Sequence, residues 1–214
     1  MGHRGRPPAG RVDRPQNYAN DVTFSPDGRL LASAGDDLTV RLWNVTTHRR
    51  LATLTDHTGA VRSVTFAPGG RTLASSGNDC TVRLWDVRRH HTEATLTGDV
   101  GSVRGVAFSR DGRTLASNGT ERTVSLWDVG RRRGWATLTG HTNSVWSVVF
   151  APDGRTLVSS STDGTVRLWD LDPQARRAAI CRLRAGLDAR ELAALLSGVP
   201  ASDLPRAAAC ARRG

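Results

Sequence analysis

Histidine, serine and aspartate recur together in this sequence, and these are the residue types of a hydrolytic triad. Nucleophilic catalysis would also need an oxyanion hole and a cleft, and no sequence feature indicates either. A catalytic site is normally built once, whereas this combination occurs twice. The pattern therefore favours a structural role and predicts a protein that is not an enzyme. The two sets are His57, Ser75 and Asp79, and His141, Ser159 and Asp163.

Few other residues could bind a metal ion or form a redox site. His90 and His91 are adjacent, so on a strand they would point to opposite faces, and no carboxylate or cysteine pattern accompanies them. Three cysteines, Cys80, Cys181 and Cys210, are odd in number and contain no CxxC. We therefore expect no disulfide framework, no metal and no cofactor.

Charge and hydropathy indicate the compartment and a class of partner. The 214 residues include 30 basic residues, all arginine, against 20 acidic ones, and the excess lies mostly near the two ends. No segment has the apolar length of a signal peptide or of a membrane span. The sequence thus predicts a cytoplasmic protein that does not contact membranes, with a surface that could attract polyanions.

An internal repeat specifies the elements that position these residues. Four tryptophans and four phenylalanines each recur every 42 residues. Within a repeat, short alternating segments rich in β-branched and aromatic residues are separated by turn residues, which predicts four strands per repeat. The recurring residues are Trp43, Trp85, Trp127 and Trp169, and Phe24, Phe66, Phe108 and Phe150.

Repeats of this length that close on Trp-Asp are typical of propeller blades. The dipeptide is complete in three repeats and is Trp43-Asn44 in the first, and a Gly-His pair occurs at Gly140-His141. On these motifs the chain resembles WD-repeat β-propeller proteins. The resemblance implies an all-β fold, namely a partial propeller of four blades. The predicted blades span residues of about 18–55, 56–97, 98–139 and 140–171.

The same resemblance implies a hydrogen-bonded chain of His, Ser, Asp and Trp inside a blade, in which the buried indole and imidazole find partners. Asp99 and Glu121 stand in place of the His and Asp in the third repeat, which predicts a looser blade, and Pro15 replaces the His of the first. The two chains that it implies are His57, Ser75, Asp79 and Trp85, and His141, Ser159, Asp163 and Trp169.

The segments outside the repeats differ from them. Residues 1–17 are basic without a strand pattern, which predicts disorder, and 172–214 carry helix caps and an apolar stripe, which predicts a basic helical tail. The last blade would then lack its outer strand. Three explanations remain open: the C-terminal part of a longer protein, two four-blade copies that complete one ring, or an open arc capped by the tail. The tail resembles the endings of bacterial WD-repeat proteins.

The resemblance also places the family's partner-contact positions at the start of each first strand and just before the tight turn that follows the second. It thus implies a protein-interaction scaffold, or the scaffold portion of a larger signalling protein, whose protein partner the sequence does not identify. Tryptophan, tyrosine and arginine dominate interface energetics, so they stand out among these candidates. The positions are Tyr18, Asn20, Asp36, Arg62, Asn78, Arg104, Thr120, Ser144, Trp146 and Thr162.

The alternative interpretation is nucleic-acid or polyanion binding at the opposite face. Arginines recur there in the first turn and in the third loop of each repeat, although aspartates lie beside them and no aromatic residues interleave. A second alternative is a fragment with no independent function. We refer to this set as the arginine face: Arg29, Arg71, Arg113, Arg155, Arg49, Arg50, Arg88, Arg89, Arg131, Arg132, Arg133, Arg176 and Arg177.

Overall fold

The computed structural model describes residues 18–98 and 101–172. These residues form fifteen strands and no helix, and therefore contain no helix long and apolar enough to cross a membrane. The predicted helical tail and the basic segment 1–17 lie outside the described residues, apart from Asp172. The strands are β1 Ala19–Phe24, β2 Leu30–Gly35, β3 Val40–Asn44, β4 Arg50–Leu54, β5 Val61–Phe66, β6 Thr72–Gly77, β7 Thr81–Asp86, β8 His91–Thr97, β9 Val103–Phe108, β10 Thr114–Gly119, β11 Val124–Asp128, β12 Arg133–Leu138, β13 Val145–Phe150, β14 Thr156–Ser161 and β15 Val166–Asp170.

The strands form four antiparallel sheets, each built from consecutive strands of one repeat. We call these sheets blade 1 (β1–β4), blade 2 (β5–β8), blade 3 (β9–β12) and blade 4 (β13–β15). The register repeats with the sequence, since Trp43 lies opposite Leu31 and Trp85 lies opposite Leu73. The first strands β1, β5, β9 and β13 lie side by side. The predicted all-β, WD-repeat arrangement of a partial propeller is confirmed.

A tight turn joins the first two strands of every blade. Its last position has a φ between 68° and 70° in all four blades, which glycine adopts without the steric cost that a Cβ would add. In blade 2 the Gly70 amide donates to the Ala67 carbonyl, which closes the turn. The regular spacing of these glycines thus fixes the hairpin in each repeat. They are Gly28, Gly70, Gly112 and Gly154.

The core lies between blades. The face of one blade formed by its second and third strands packs on the first strand and the tryptophan of the next blade. Between blades 1 and 2, for example, Val40 and Leu42 meet Val61, Val64 and Trp85, all at most 2% exposed. Each blade is therefore stabilised by apolar burial against its neighbours.

Blade 4 differs from the others because it has three strands within the described residues. Its third strand, β15, pairs with β14 on one side, and the described residues extend to Asp172, shortly after it. The sequence predicts this difference from the Asp172-Pro173 step, at which an apolar strand segment would otherwise follow.

Candidate functional site

In blade 2 the structure brings together His57, Ser75, Asp79 and Trp85, which form the first of the two predicted hydrogen-bonded chains. His57 Nδ1 lies 2.7 Å from an Asp79 carboxylate oxygen, and His57 Nε2 lies 2.7 Å from Ser75 Oγ. The Trp85 indole N–H donates to the same Ser75 hydroxyl over 2.8 Å. Ser75 is 0% exposed and Trp85 1%, so the chain runs through the interior of the blade.

The direction of these hydrogen bonds assigns the state of the imidazole. Because Ser75 Oγ accepts the indole proton, its own hydroxyl is available to donate to His57 Nε2, which leaves Nδ1–H to donate to Asp79. This arrangement satisfies every member with a neutral histidine. Burial lowers the pKa of His57 below its usual value, despite the opposing effect of the Asp79 carboxylate.

Asp79 is held as a carboxylate by the donors around it. Its burial opposes ionisation, but the hydrogen bonds from His57, from the Thr58 amide and from Thr81 outweigh that effect and lower the pKa of Asp79. The carboxylate therefore ties the imidazole to two turns of the same blade.

Blade 4 repeats this geometry. His141 contacts Asp163 and Ser159 at 2.8 Å each, and the Trp169 indole donates to Ser159 at 2.8 Å. The hydrogen bond from Thr165 is the main reason that the pKa of Asp163 lies well below its ordinary value. Two repeats with the same four residues thus form the same network.

Blades 1 and 3 contain a shorter link. The Trp43 indole donates to Ser33 at 3.1 Å, and the Trp127 indole donates to Ser117 at 2.8 Å. In blade 1, Asp37 pairs with Arg41 at 2.7 Å instead of with a histidine. Asp99 of the third repeat lies outside the described residues, and the predicted looseness of blade 3 stays a prediction.

The buried chains do not resemble a working nucleophile. Ser75 and Ser159 are 0% and 1% exposed, and each hydroxyl already accepts an indole N–H. A triad serine must instead present its oxygen to a substrate carbonyl. Within 18–98 and 101–172, no three His, Cys, Asp or Glu side chains cluster closely enough to hold a metal ion.

A second polar network crosses from blade to blade at the N-terminal ends of the first strands. The Asn20 amide donates to Asp36 at 2.7 Å, and Arg62 of blade 2 donates to the same carboxylate at 2.8 Å. Arg62 also donates to Asn78 at 3.0 Å, and Ser102 of blade 3 donates to that Asn78 oxygen at 2.7 Å. Blades 1, 2 and 3 are therefore linked through side chains on this surface.

The network leads to an arginine stacked on a tryptophan. The Arg104 guanidinium carbon lies 4.9 Å from the centre of the Trp146 ring, which joins blade 3 to blade 4. Trp146 is 61% exposed, so it covers little of the core. Six residues line an open cleft of about 770 Å³: Asn20, Arg62, Asn78, Ser102, Arg104 and Trp146. We call these six, together with Asp36, which accepts hydrogen bonds from Asn20 and Arg62, the inter-blade belt.

The remaining predicted contact residues lie around the same end of the blades, outside the cleft lining. The Thr120 amide donates to the Ser102 carbonyl, and the Thr162 amide and hydroxyl both donate to the Ser144 carbonyl. Tyr18 is 77% exposed and accepts the Asp36 amide at its carbonyl. These residues hold the turns beside the belt.

Sequence reasoning missed Ser102, although the signal was present. Ser102 occupies the same repeat position as Tyr18 and Ser144, both of which were predicted, because all three are related by the 42-residue spacing. Its contribution depends on Asn78 of the preceding blade, which only the packed structure brings within reach.

The arginine face lies at the opposite end of the blades. Arg71, Arg88 and Arg89 line a cleft of about 550 Å³ together with Asp86. Backbone hydrogen bonds from Arg89 and Arg88 lower the pKa of Asp86, so an anionic group lies among these cations. Arg131 likewise pairs with Asp128 at 3.0 Å. Arg176 and Arg177 lie outside the described residues.

The repeats match a known family model, described as WD domain, G-beta repeat. The match occurs four times, at residues 13–44, 48–86, 91–128 and 135–170. Together these segments cover more than half of the chain. The WD-repeat interpretation of the sequence is thereby confirmed.

Curated relatives match over about one repeat. Periodic tryptophan protein 2 of Arabidopsis thaliana is 50% identical over 42 residues, which is 20% of this chain and 5% of the relative. Notchless protein homolog of the same plant is 42% identical over 52 residues, 24% of this chain and 11% of the relative. Ribosome assembly protein 4 of Chaetomium thermophilum is 50% identical over 42 residues, 20% of this chain and 8% of the relative. The chain thus matches a small part of each, and the resemblance to bacterial proteins stays a prediction.

Proposed function

The chain belongs to the WD-repeat family, and on this basis we propose that it is a non-catalytic scaffold that binds a protein partner through the inter-blade belt. WD repeats are typical of protein-interaction scaffolds, which supports the general class. The particular surface is supported by the belt, which draws residues from all four blades into one cleft.

The observation that carries the proposal is the stacked pair of Arg104 and Trp146. Tryptophan and arginine are the residue types that most often dominate binding energy. Here they are held against each other, and Trp146 remains 61% exposed. A side chain that is already positioned loses less conformational entropy on binding, so this pair is suited to anchor a partner.

The charges of the belt favour a partner segment that carries a carboxylate. Arg62 is already paired with Asp36 at 2.8 Å. Arg104, in contrast, forms no ion pair within the described residues and packs on Trp146. A carboxylate beside an apolar group would meet the guanidinium donors and the exposed ring at the same time.

The relatives agree with a scaffold at the level of the class. One of them is, by its name, a ribosome assembly protein, and assembly is work that an interaction scaffold can perform. The matched segment is one repeat long, so it supports the same repeat architecture in this chain. The partner of this chain is left to experiment.

The test is affinity capture with matched variants. The immobilised chain is exposed to an extract of its source cells, and bound proteins are quantified by mass spectrometry. The double variant Arg104→Ala, Trp146→Ala should weaken capture of the specific partner by about 30-fold or more, since two anchors are lost. The control variant Arg71→Ala, Arg88→Ala removes two arginines from the opposite face and should retain capture.

Undiminished capture by the Arg104, Trp146 variant would contradict the proposed surface. Circular dichroism of both variants should match that of the parent chain, and their melting temperatures should change little, because Trp146, Arg71 and Arg88 are exposed and Arg104 is half-buried. A loss of capture without a loss of fold then reports on binding.

The arginine face supports a second candidate function, polyanion binding. Its specific observation is the cleft formed by Arg71, Arg88 and Arg89. Fluorescence anisotropy with a labelled single-stranded oligonucleotide, across a series of salt concentrations, tests it. Phosphate binding requires affinity to fall steeply with salt and to drop in the Arg71→Ala, Arg88→Ala variant. Salt-independent binding would exclude this candidate.

A further inference from the structure

The three interfaces between blades use one repeated apolar set. One face of each blade carries a valine and a leucine from its third strand, and we call this apolar face the donating face. The receiving face of the next blade contributes a valine from its first strand. The donating residues are at most 1% exposed and the receiving valines at most 8%. The donors are Val40, Leu42, Val82, Leu84, Val124 and Leu126, and the receivers are Val64, Val106 and Val148.

At the two ends of the array the same positions are exposed. On blade 4, Val166 and Leu168 occupy the donating positions and are 61% and 72% exposed, and Val149 on the first strand of this sheet is 56% exposed. On blade 1, Val22 and Phe24 occupy the receiving positions and are 58% and 62% exposed. Residues 18–98 and 101–172 therefore present one donating face and one receiving face.

These two faces are complementary, because the interior of the same molecule shows three times how such faces fit. The receiving set of blade 1 has Val22 and Phe24 in place of Val64 and Phe66, and it has the smaller Ala19 in place of Val61. We propose that two copies of this chain pair head to tail, with blade 4 of each copy packed on blade 1 of the other.

The number of copies follows from the four blades that the described residues form. A head-to-tail contact uses different faces of the two partners, so it produces either a closed ring or an open filament. Propellers close with about four to eight blades. Two copies supply eight, whereas three would exceed that range. A closed dimer therefore satisfies both faces of both copies.

Two features limit the contact. Trp43 and Arg41 of blade 1 are already buried, at 2% and 8% exposure, so the joint forms over the Val22 and Phe24 part of the face. Val158 of blade 4 stands where Ala74 and Ala116 are fully buried in the interior, and the larger side chain fits such an interface less closely. The dimer should therefore dissociate on dilution rather than be permanent.

The first experiment measures mass by light scattering on a sizing column. The parent chain should elute at twice its 23.0 kDa mass and shift toward the monomer on dilution. Leu168→Asp or Val22→Asp should each raise the dimer dissociation constant by about 100-fold or more, because either change places a charge in both joints. Leu38→Asp, a change in the turn between β2 and β3 at an exposed leucine that belongs to neither set of face positions, is the matched control and should leave the dimer intact.

The second experiment tests the head-to-tail arrangement by mixing. Leu168→Asp retains an intact blade 1 face, and Val22→Asp retains an intact blade 4 face. Each alone should be monomeric, whereas an equimolar mixture should form a heterodimer through the one joint that both leave intact. Circular dichroism should be unchanged in all variants, since both positions are exposed in the single chain.

Several results would overturn the proposal. They are a monomeric parent chain at all concentrations, a ladder of larger oligomers, or a dimer that resists both Asp substitutions. A mixture that stays monomeric, while the parent dimerises, would exclude head-to-tail pairing as well. None of these results would contradict partner binding at the inter-blade belt, because the belt residues lie outside both end faces.

Discussion

Blade 2 and blade 4 contain the same hydrogen-bonded chain but differ in what surrounds it. The His, Ser, Asp and Trp distances are nearly identical in the two blades. In contrast, Leu84 is 1% exposed in blade 2, whereas Leu168, at the same repeat position, is 72% exposed in blade 4. The polar network is therefore completed within a blade, and apolar burial is completed only by a neighbour.

This difference has a physical origin. All four residues of the chain come from one repeat, so the fold of that repeat brings them within hydrogen-bond distance. The valine and leucine of the third strand lie on the face of the blade, and they are removed from solvent only when another blade packs against that face. The hydrogen bonds within a blade and the apolar burial between blades can thus be perturbed separately.

The largest expected effect comes from truncating the leucine in the two blades. Leu84→Ala should lower the free energy of unfolding by about 2–5 kcal/mol, because it leaves a cavity between blades 2 and 3. Leu168→Ala should change it by less than about 0.5 kcal/mol, since the side chain is exposed. Urea denaturation, followed by circular dichroism, measures both.

The measurement is made at a protein concentration low enough for the chain to be monomeric. If pairing between copies occurs, the cost of Leu168→Ala should grow as the concentration rises, while that of Leu84→Ala changes little. Equal costs in dilute solution would contradict the burial difference between the two blades.

A smaller and more even effect is expected for the serine at the centre of each chain. Ser75→Ala and Ser159→Ala each remove the partner of an indole N–H and of an imidazole nitrogen, at a cost of about 1–3 kcal/mol. Because the network lies within one blade, the two costs should agree within about 1 kcal/mol. A loss in blade 2 alone, measured by the same denaturation, would show that a neighbouring blade supports the network.

The smallest effect concerns pH and blade 2. The pKa of folded His57 lies below 6.5, its ordinary value, so the unfolded chain binds the proton more tightly. Its contribution to stability should be complete above pH 6.5 and decline as the pH falls below that value. The lowered pKa of Asp79 adds a further loss below pH 3.8. Melting temperature against pH measures this decline.

The variant His57→Gln provides the comparison for the pH effect. It cannot gain the imidazole proton, so its melting temperature should fall less than that of the parent chain between pH 7 and pH 5. Parallel curves for the two proteins would contradict a lowered His57 pKa.

Much of the candidate site could be inferred from repeat positions. Arg104, Trp146, Arg62 and Asn78 were predicted from their places in the repeat, and the structure brings them to one cleft. Their partners could not be inferred in the same way. The bond from Arg62 to Asp36 and the stacking of Arg104 on Trp146 each join two blades, so they depend on how the blades are placed side by side.

The sequence by itself determined the repeat, the strands, the tight-turn glycines and the four-residue chains, because each of these depends on residues close together within one 42-residue unit. The tertiary structure decided which identical side chains are buried. Val22 and Val64 are the same residue at the same repeat position, yet one is 58% exposed and the other 2%. Burial depends on what lies across the interface, and a repeated sequence gives the two valines the same local signal.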